Sequence, residues 1–294
     1  MINEKLENIS PAVLKRLSHI DFRANFLGVV TRSDLISRFG IKEAASTRDI
    51  TEYRNLAPDN LEYDGVRKTY MRSDNFKPLF EYSVTQVLTA LTEGFGEVYV
   101  GEQKGLIACD TQYKLNKPSL SVLSVLSRAI YQNKAVHITY RSVGSGKGTR
   151  EIIPFALVNN GLRWHIRAFD RKRSIFMDCV LARISDPTIV DSPITENETR
   201  ESDIQWNRIV ELEIVAHPKL VNPETIEFEY GMENKVLKVN IRAAVAGYLL
   251  RLWNIDCSEG HSLERDEIYL WLRNSAALYG VENMKLTPGY KFEN

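Results

Sequence analysis

The stretch Arg163-Trp164-His165-Ile166-Arg167-Ala168-Phe169-Asp170 leaves its part of the chain few options. Asn160-Gly161 just before it is a hairpin signal, because both residues tolerate the positive φ that a tight strand reversal needs. Read as a strand, its side chains alternate, with Arg163, His165 and Arg167 on one face and Trp164, Ile166 and Ala168 on the other. Trp164 belongs to the core on this reading. The neighbouring segments are also strand-like. Val136 to Arg141 alternates, Arg150 opens a run that Pro154 interrupts as an edge or bend would, and Ser174–Cys179 and Leu181–Ile184 follow. Five short strands with tight turns predict a small barrel. The loop Gly144-Ser145-Gly146-Lys147-Gly148 lacks the spacing of a phosphate-binding loop and precedes a strand, so it reads as a hairpin connection.

Charge is distributed unevenly along a chain whose net charge is zero. From Arg128 to Ser185 there are 11 basic residues against 3 acidic ones, and from Asp186 to Asn294 the counts are 11 and 19. A concentrated positive region attracts an anion, or it docks an acidic neighbouring domain. The chain is long enough for two or three modest domains. Cys109, Cys179 and Cys257 are scattered, without CxxC and without a histidine at zinc-ligand spacing, so neither a disulfide framework nor a metal site is expected. The start lacks a cationic leader with an apolar core, and the longest apolar stretch, Ala243–Leu250, is too short to span a bilayer. A cytoplasmic protein with no membrane partner and no cofactor is expected.

The first 75 residues read as a winged helix-turn-helix. A helix begins at Pro11. Thr31 or Ser33 can cap a second, carrying Leu35, Ile36 and Phe39, and Gly40 stops it. A third helix runs from about Lys42 to Leu56, with Ala44, Ala45, Ile50 and Tyr53 expected inward. Asp64-Gly65 then signals a hairpin, the wing. Candidate DNA contacts are Lys42, Ser46, Thr47, Arg48, Thr51 and Arg54 on the helix and Arg67 and Lys68 on the wing, types that reach phosphates and base edges. Basic and acidic residues nearly balance here, 12 against 11, so one copy binds weakly and a dimer on two half-sites is expected. The alternative is a three-helix cap that contacts protein.

Residues 76–118 form a connector, helical from Phe80 to about Leu91 and then glycine-containing. Residues 119–190 hold a helix started by Lys117-Pro118-Ser119 and the strand-rich region. Asp186–Ser202 is polar and reads as a linker. Residues 205–294 read as a small α+β domain, with strands over Ile209–Val215, Thr225–Tyr230 and Lys235–Ile241, a helix over Arg242–Trp253 and a short element at Ile268–Leu272. The fold class is therefore a multidomain α+β chain.

The run Tyr140-Arg141-Ser142, Arg150-x-x-x-Pro154 and Arg163 to Phe169 resembles a WYL domain. The name-giving Trp-Tyr-Leu triplet is here Trp164-His165-Ile166. That form, the Arg-Ala-Phe after it and Leu249–Cys257 resemble the WYL transcription repressors of BREX and CBASS phage-defence islands. The resemblance covers nearly the whole chain. It implies a homodimer, a Sm-like β-barrel and a double-stranded DNA operator released when a nucleotide or oligonucleotide effector binds. It also implies a ligand pocket of Tyr140, Ser142, Arg150, His165, Arg167 and Arg183. Other readings are a transcription activator, an adaptor for RNA or single strands, and, with no HExxH, GxSxG or kinase motif to support it, an enzyme.

Overall fold

The computed structural model describes residues 6, 9–92, 118–263 and 266–291. The glycine-containing part of the connector, from Gly94 to Gly105, lies outside them. The chain divides into two compact units, Met1–Phe155 with Asp170–Arg173 and Leu181–Ser192, and Ala156–Phe169 with Ser174–Val180 and Pro193–Asn294.

The first unit opens with helix α1 (Pro11–Phe26), strand β1 (Val29–Val30), α2 (Arg32–Phe39) and α3 (Glu43–Leu56), followed by β2 (Leu61–Asp64) and β3 (Thr69–Arg72). The boundary of α2 is written locally. Thr31 and Asp34 cap each other in a capping box, and Gly40 leaves the helix at φ 62°. β1, β3 and β2 form an antiparallel three-stranded sheet in that order. The wing turn is a four-residue loop in which Lys68, not Gly65, takes the positive φ, while Asp64 accepts from the backbone N–H groups of Val66 and Arg67.

Leu17, Ile20, Leu35, Ile50 and Tyr53 make the core of this helical part. A polar knot sits inside it. The Asp21 carboxylate is fully buried and accepts from Tyr53 Oη at 2.6 Å, Tyr82 Oη at 2.8 Å and the Leu79 N–H at 2.9 Å. Burial, the largest influence, raises its pKa despite those donors. The connector helix α4 (Val84–Thr92) starts later than Phe80, where Ser83 and Gln86 cap each other.

Helix α5 (Leu120–Gln132) docks against the C-terminus of α1, whose last carbonyls have no intrahelical partner. Ser124 and Arg128 donate to Asn25 O at 2.8 and 2.7 Å, Ser127 to Phe26 O at 2.7 Å and Gln132 to Leu27 O at 3.1 Å. Gly28, at φ 80°, gives the room: a Cβ there would lie 2.4 Å from Gln132 Nε2.

The middle region has strands β4 (Ala135–Ser142), β5 (Gly146–Asn159), β6 (Trp164–Asp170), β7 (Ile175–Val180) and β8 (Ile184–Val190) in the sheet order β7-β6-β5-β4-β8. Closure into a barrel is not seen among the described residues, since β7 and β8 stand at opposite edges. Leu181–Arg183, expected as strand, is a 3₁₀ turn. The strand lies in β8 instead and takes in the start of the expected linker, because Ile189 and Val190 pair with Val136 and Ala135. The rest of that segment carries two 3₁₀ turns, Glu196–Glu198 and Arg200–Ser202.

The second unit continues with α6 (Ile204–Asn207), β9 (Ile209–Ala216), α7 (Pro223–Glu229), β10 (Leu237–Arg242), α8 (Ala243–Leu252), β11 (Ile255–Asp256) and β12 (Leu270–Leu272). The sheet order is β10-β9-β12-β11. Its core gathers Leu212, Ile214, Ala243, Ala246, Leu250 and Leu272. Thr225–Tyr230, expected as a strand from its alternation, is helical. Pro223 at the first helical position and Gly231 at φ 59° beyond the end favour one turn of helix over a strand. Among the described residues no helix is long and apolar enough to cross a membrane.

Candidate nucleic-acid interface and ligand site

Three polar contacts set the rotation of α3. Ser46 Oγ donates to Arg32 O at 3.1 Å, Arg16 grips Asp49 with two nitrogens at 2.6 and 3.1 Å, and Tyr53 reaches Asp21. Ser46, Asp49, Ile50 and Tyr53 therefore point inward. Ala44, expected inward, is exposed. Ser46, expected among the DNA contacts, is fully buried and joins α3 to α2 instead. Hydrophobic bookkeeping favoured the alanines, but the inward serine and aspartate are accepted because each finds a partner.

The opposite side of α3 exposes Thr47, Arg48, Thr51 and Arg54, with Lys42 exposed just before the helix. Spacings of three and four residues keep Thr47, Arg48 and Thr51 on one face. Arg54 reaches sideways, its guanidinium 5.9 Å from the centre of the Tyr70 ring on β3. Arg67 and Lys68 stand exposed on the wing turn, Arg67 only loosely paired with Asp64 at 3.7 Å. One surface type results, a helix face and a wing tip of Arg, Lys and Thr. The acids near it are tied inward, Asp34 to Arg23 and Asp49 to Arg16.

The six candidate ligand residues fall in both units. In the first unit, Arg150 is buried, with one long contact to Asp170 at 3.3 Å. Its Nε makes no hydrogen bond among the described residues. Its guanidinium lies 5.9 Å from the ring centre of Tyr140, itself buried. Ser142 is half-buried at the end of β4 and accepts weakly from the Ser145 N–H, and Arg183 is half-buried in the 3₁₀ turn.

In the second unit, Arg167 is saturated. Its Nε and Nη2 donate to Asp203 at 2.8 and 3.1 Å, and its Nη1 to Asp178 at 3.4 Å. Side-chain exposure is 5% for Arg167, 7% for Asp178 and 1% for Asp203. Burial opposes the charge on Arg167, but hydrogen bonds from Asp203 and the field of Asp178 outweigh it and raise the pKa. Asp178 is pushed up, first by burial, although Arg167 and Tyr248 pull the other way. The Tyr248 hydroxyl donates to Asp178 at 3.0 Å, and the ring stacks on His165, centroids 5.3 Å apart. β6 is buried on both faces from His165 onward, so the alternation does not produce a cationic face open to solvent. Trp164, expected in the core, is half-buried. Asp178, Asp203 and Tyr248 carry no signal in the sequence, lying 11, 36 and 81 positions from Arg167.

A capped helix pair with a wing, followed by a sheet region with buried arginines and a separate C-terminal α+β sheet, defines a winged-helix transcription regulator with a sensory middle. Residues 12–93 match the family model for the BrxR transcriptional regulator winged helix-turn-helix domain, 121–189 the WYL domain, and 209–278 the BrxR transcriptional regulator C-terminal dimerization domain. The chain is 31% identical to the DNA-binding transcriptional repressor CapW of Escherichia coli strain KTE188, over 91% of each chain. It is 32% identical to CapW of Pseudomonas aeruginosa over 88% of each. The chain belongs to this family of BrxR and CapW transcriptional regulators, which are not enzymes. The solved structure of the proteasome accessory factor PafBC of Arthrobacter aurescens matches at a TM-score of 0.27 and 14% identity, over 82% of this chain and 44% of that one, too distant to build on.

Proposed function

We propose that the chain is a homodimeric, sequence-specific DNA-binding repressor whose WYL domain senses an anionic nucleotide or oligonucleotide and then releases DNA. The observation that carries the DNA half is the division of α3, with Ser46, Asp49 and Tyr53 bonded inward and Thr47, Arg48 and Thr51 left outward beside the wing tip. The name of the CapW relatives, over nine-tenths of the chain, supports repression. The resemblance to repressors of phage-defence islands makes such an operon the target. Two copies of α3 read half-sites about 34 Å apart, or a multiple of that distance.

The ligand half rests on the contrast between the two buried arginines. Arg167 has its fork filled by carboxylates of the chain itself and acts as an internal pin. Arg150 has one long contact and an unbonded Nε beside Tyr140, so it is the cation with capacity left for a phosphate. Transmission runs through α5, which carries the WYL strands on one end and caps α1 of the winged helix along its side. A hundredfold change in operator occupancy needs the ligand to prefer the released state by about 2.7 kcal/mol.

The test is a mobility-shift titration on the DNA upstream of the protein's own gene, at two salt concentrations, with short oligonucleotides and nucleotides added as competitors. Site-selective binding that weakens steeply with salt is expected. Arg150→Lys keeps the charge but loses the planar fork. It should bind the operator normally and need roughly tenfold more ligand for release. Tight binding to RNA or single strands with no selective duplex binding would overturn the repressor reading.

A further inference from the structure

The short helix α7 has two unlike sides. Ile226 is buried in the core of the C-terminal sheet, with Leu220 and Met232 packed beside it. Phe228, two positions on, is 90% exposed, and Val221, just before the helix, is 92% exposed. Residues seven apart share a helix face, so Val221 and Phe228 mark one apolar strip, with the exposed Thr225 between them. A charged residue in place of Phe228 would suit water better, and the helix does not need the ring, because Pro223, Gly231 and Ile226 already define and anchor it. Other highly exposed apolar side chains have local explanations or lie elsewhere. Val66 and Val143 are in hairpin loops, and Ile204 and Tyr279 fall outside the span matched to the dimerization domain.

We propose that the Val221–Phe228 face of α7 is the surface through which two copies of this chain meet about a two-fold axis. Three observations select a second copy as the occupant. α7 lies wholly inside residues 209–278, the span matched to a domain described as a dimerization domain. The strip is apolar and the chain around it presents it to solvent, as the centre of an interface does. Its rim carries both signs, Lys219 on one side of the strip and Glu224 and Glu229 on the other, all exposed. An isologous contact turns one copy by 180° against the other and so can set Lys219 of one protomer against the glutamates of its partner. This inference rests on the homodimer reading above and assigns it a surface.

The experiment is sedimentation velocity and light scattering of the full chain over a wide concentration range, for the wild type, Phe228→Glu, Val221→Asp and Phe228→Leu. The substituted positions are open to solvent in the protomer, so circular dichroism and thermal unfolding of the monomer should be kept. Phe228→Glu and Val221→Asp are expected to raise the dimer dissociation constant by roughly tenfold or more, with Phe228→Leu between them and the wild type. Folded charged variants that dimerise as the wild type does would overturn the assignment and leave the homodimer reading standing. A wild type that stays monomeric throughout would overturn both.

Discussion

Replacing Arg167 with alanine tests the pin directly. The wild-type side chain meets two buried carboxylates through three contacts, at 2.8, 3.1 and 3.4 Å. Without it, Asp178 and Asp203 keep only the Tyr248 hydroxyl and the Trp206 N–H from those contacts. Removing one side of a buried ion pair costs about 3–5 kcal/mol, because the other side stays in a poor dielectric. That is a large part of the stability of an ordinary domain, typically 5–15 kcal/mol. The cost depends on pH. The folded pKa of Asp178 is already raised, and losing the cation raises it further. Between the ordinary carboxylate range and that raised value the folded state binds more protons than the unfolded one, so stability falls as pH rises through the window. The deficit of Arg167→Ala should be largest near neutrality and shrink as the buffer is acidified.

The assay is urea denaturation followed by tryptophan fluorescence. Trp164, Trp206, Trp253 and Trp271 are the only tryptophans, and all four lie in the second unit, so the signal reports the unit that holds the pin. A loss under about 1 kcal/mol, the scale of an exposed ion pair, or a deficit that grows as pH falls, would refute the reasoning. A large loss also makes Arg167→Ala a poor probe of ligand sensing, for which Arg150 is the better position.

Arg48→Ala should leave the fold intact and weaken operator binding, flattening the dependence of log affinity on log salt by about 1 if the side chain meets a phosphate; unchanged affinity and slope for both Arg48→Ala and Arg54→Ala would point away from this helix face. Gly28→Ala forces an L side chain to φ 80° and into Gln132 Nε2. With about 1–2 kcal/mol for the left-handed backbone and about 1 for the displaced bond to Leu27 O, thermal unfolding followed by circular dichroism should show a loss of about 2–3 kcal/mol, and a change within error would remove Gly28 from the α1–α5 joint.

What could be read from the sequence was what neighbours in the chain decide. The Thr31–Asp34 cap, Gly40, the hairpins at Asp64-Gly65 and Asn160-Gly161 and the helix over Ala243–Leu252 depend on backbone conformation and bonds within a few residues. Composition and the WYL resemblance extended that to the order of domains. Where sequence reading failed, the competing states were close in local energy. The alternation of Thr225–Tyr230 fits a strand as well as a single helical turn, and Pro223 with a packed Ile226 chose the helix. The rotation of α3 was decided by Arg32 O and Arg16, which gave buried partners to Ser46 and Asp49. Only the tertiary structure separated the two arginines of the candidate pocket. Both sit in strands of similar composition, but Asp203 and Asp178 converge on Arg167 from distant positions, while Arg150 keeps only a long contact to Asp170. A cation's capacity for a ligand depends on which carboxylates the fold brings within hydrogen-bond reach, and a local pattern carries no record of that distance.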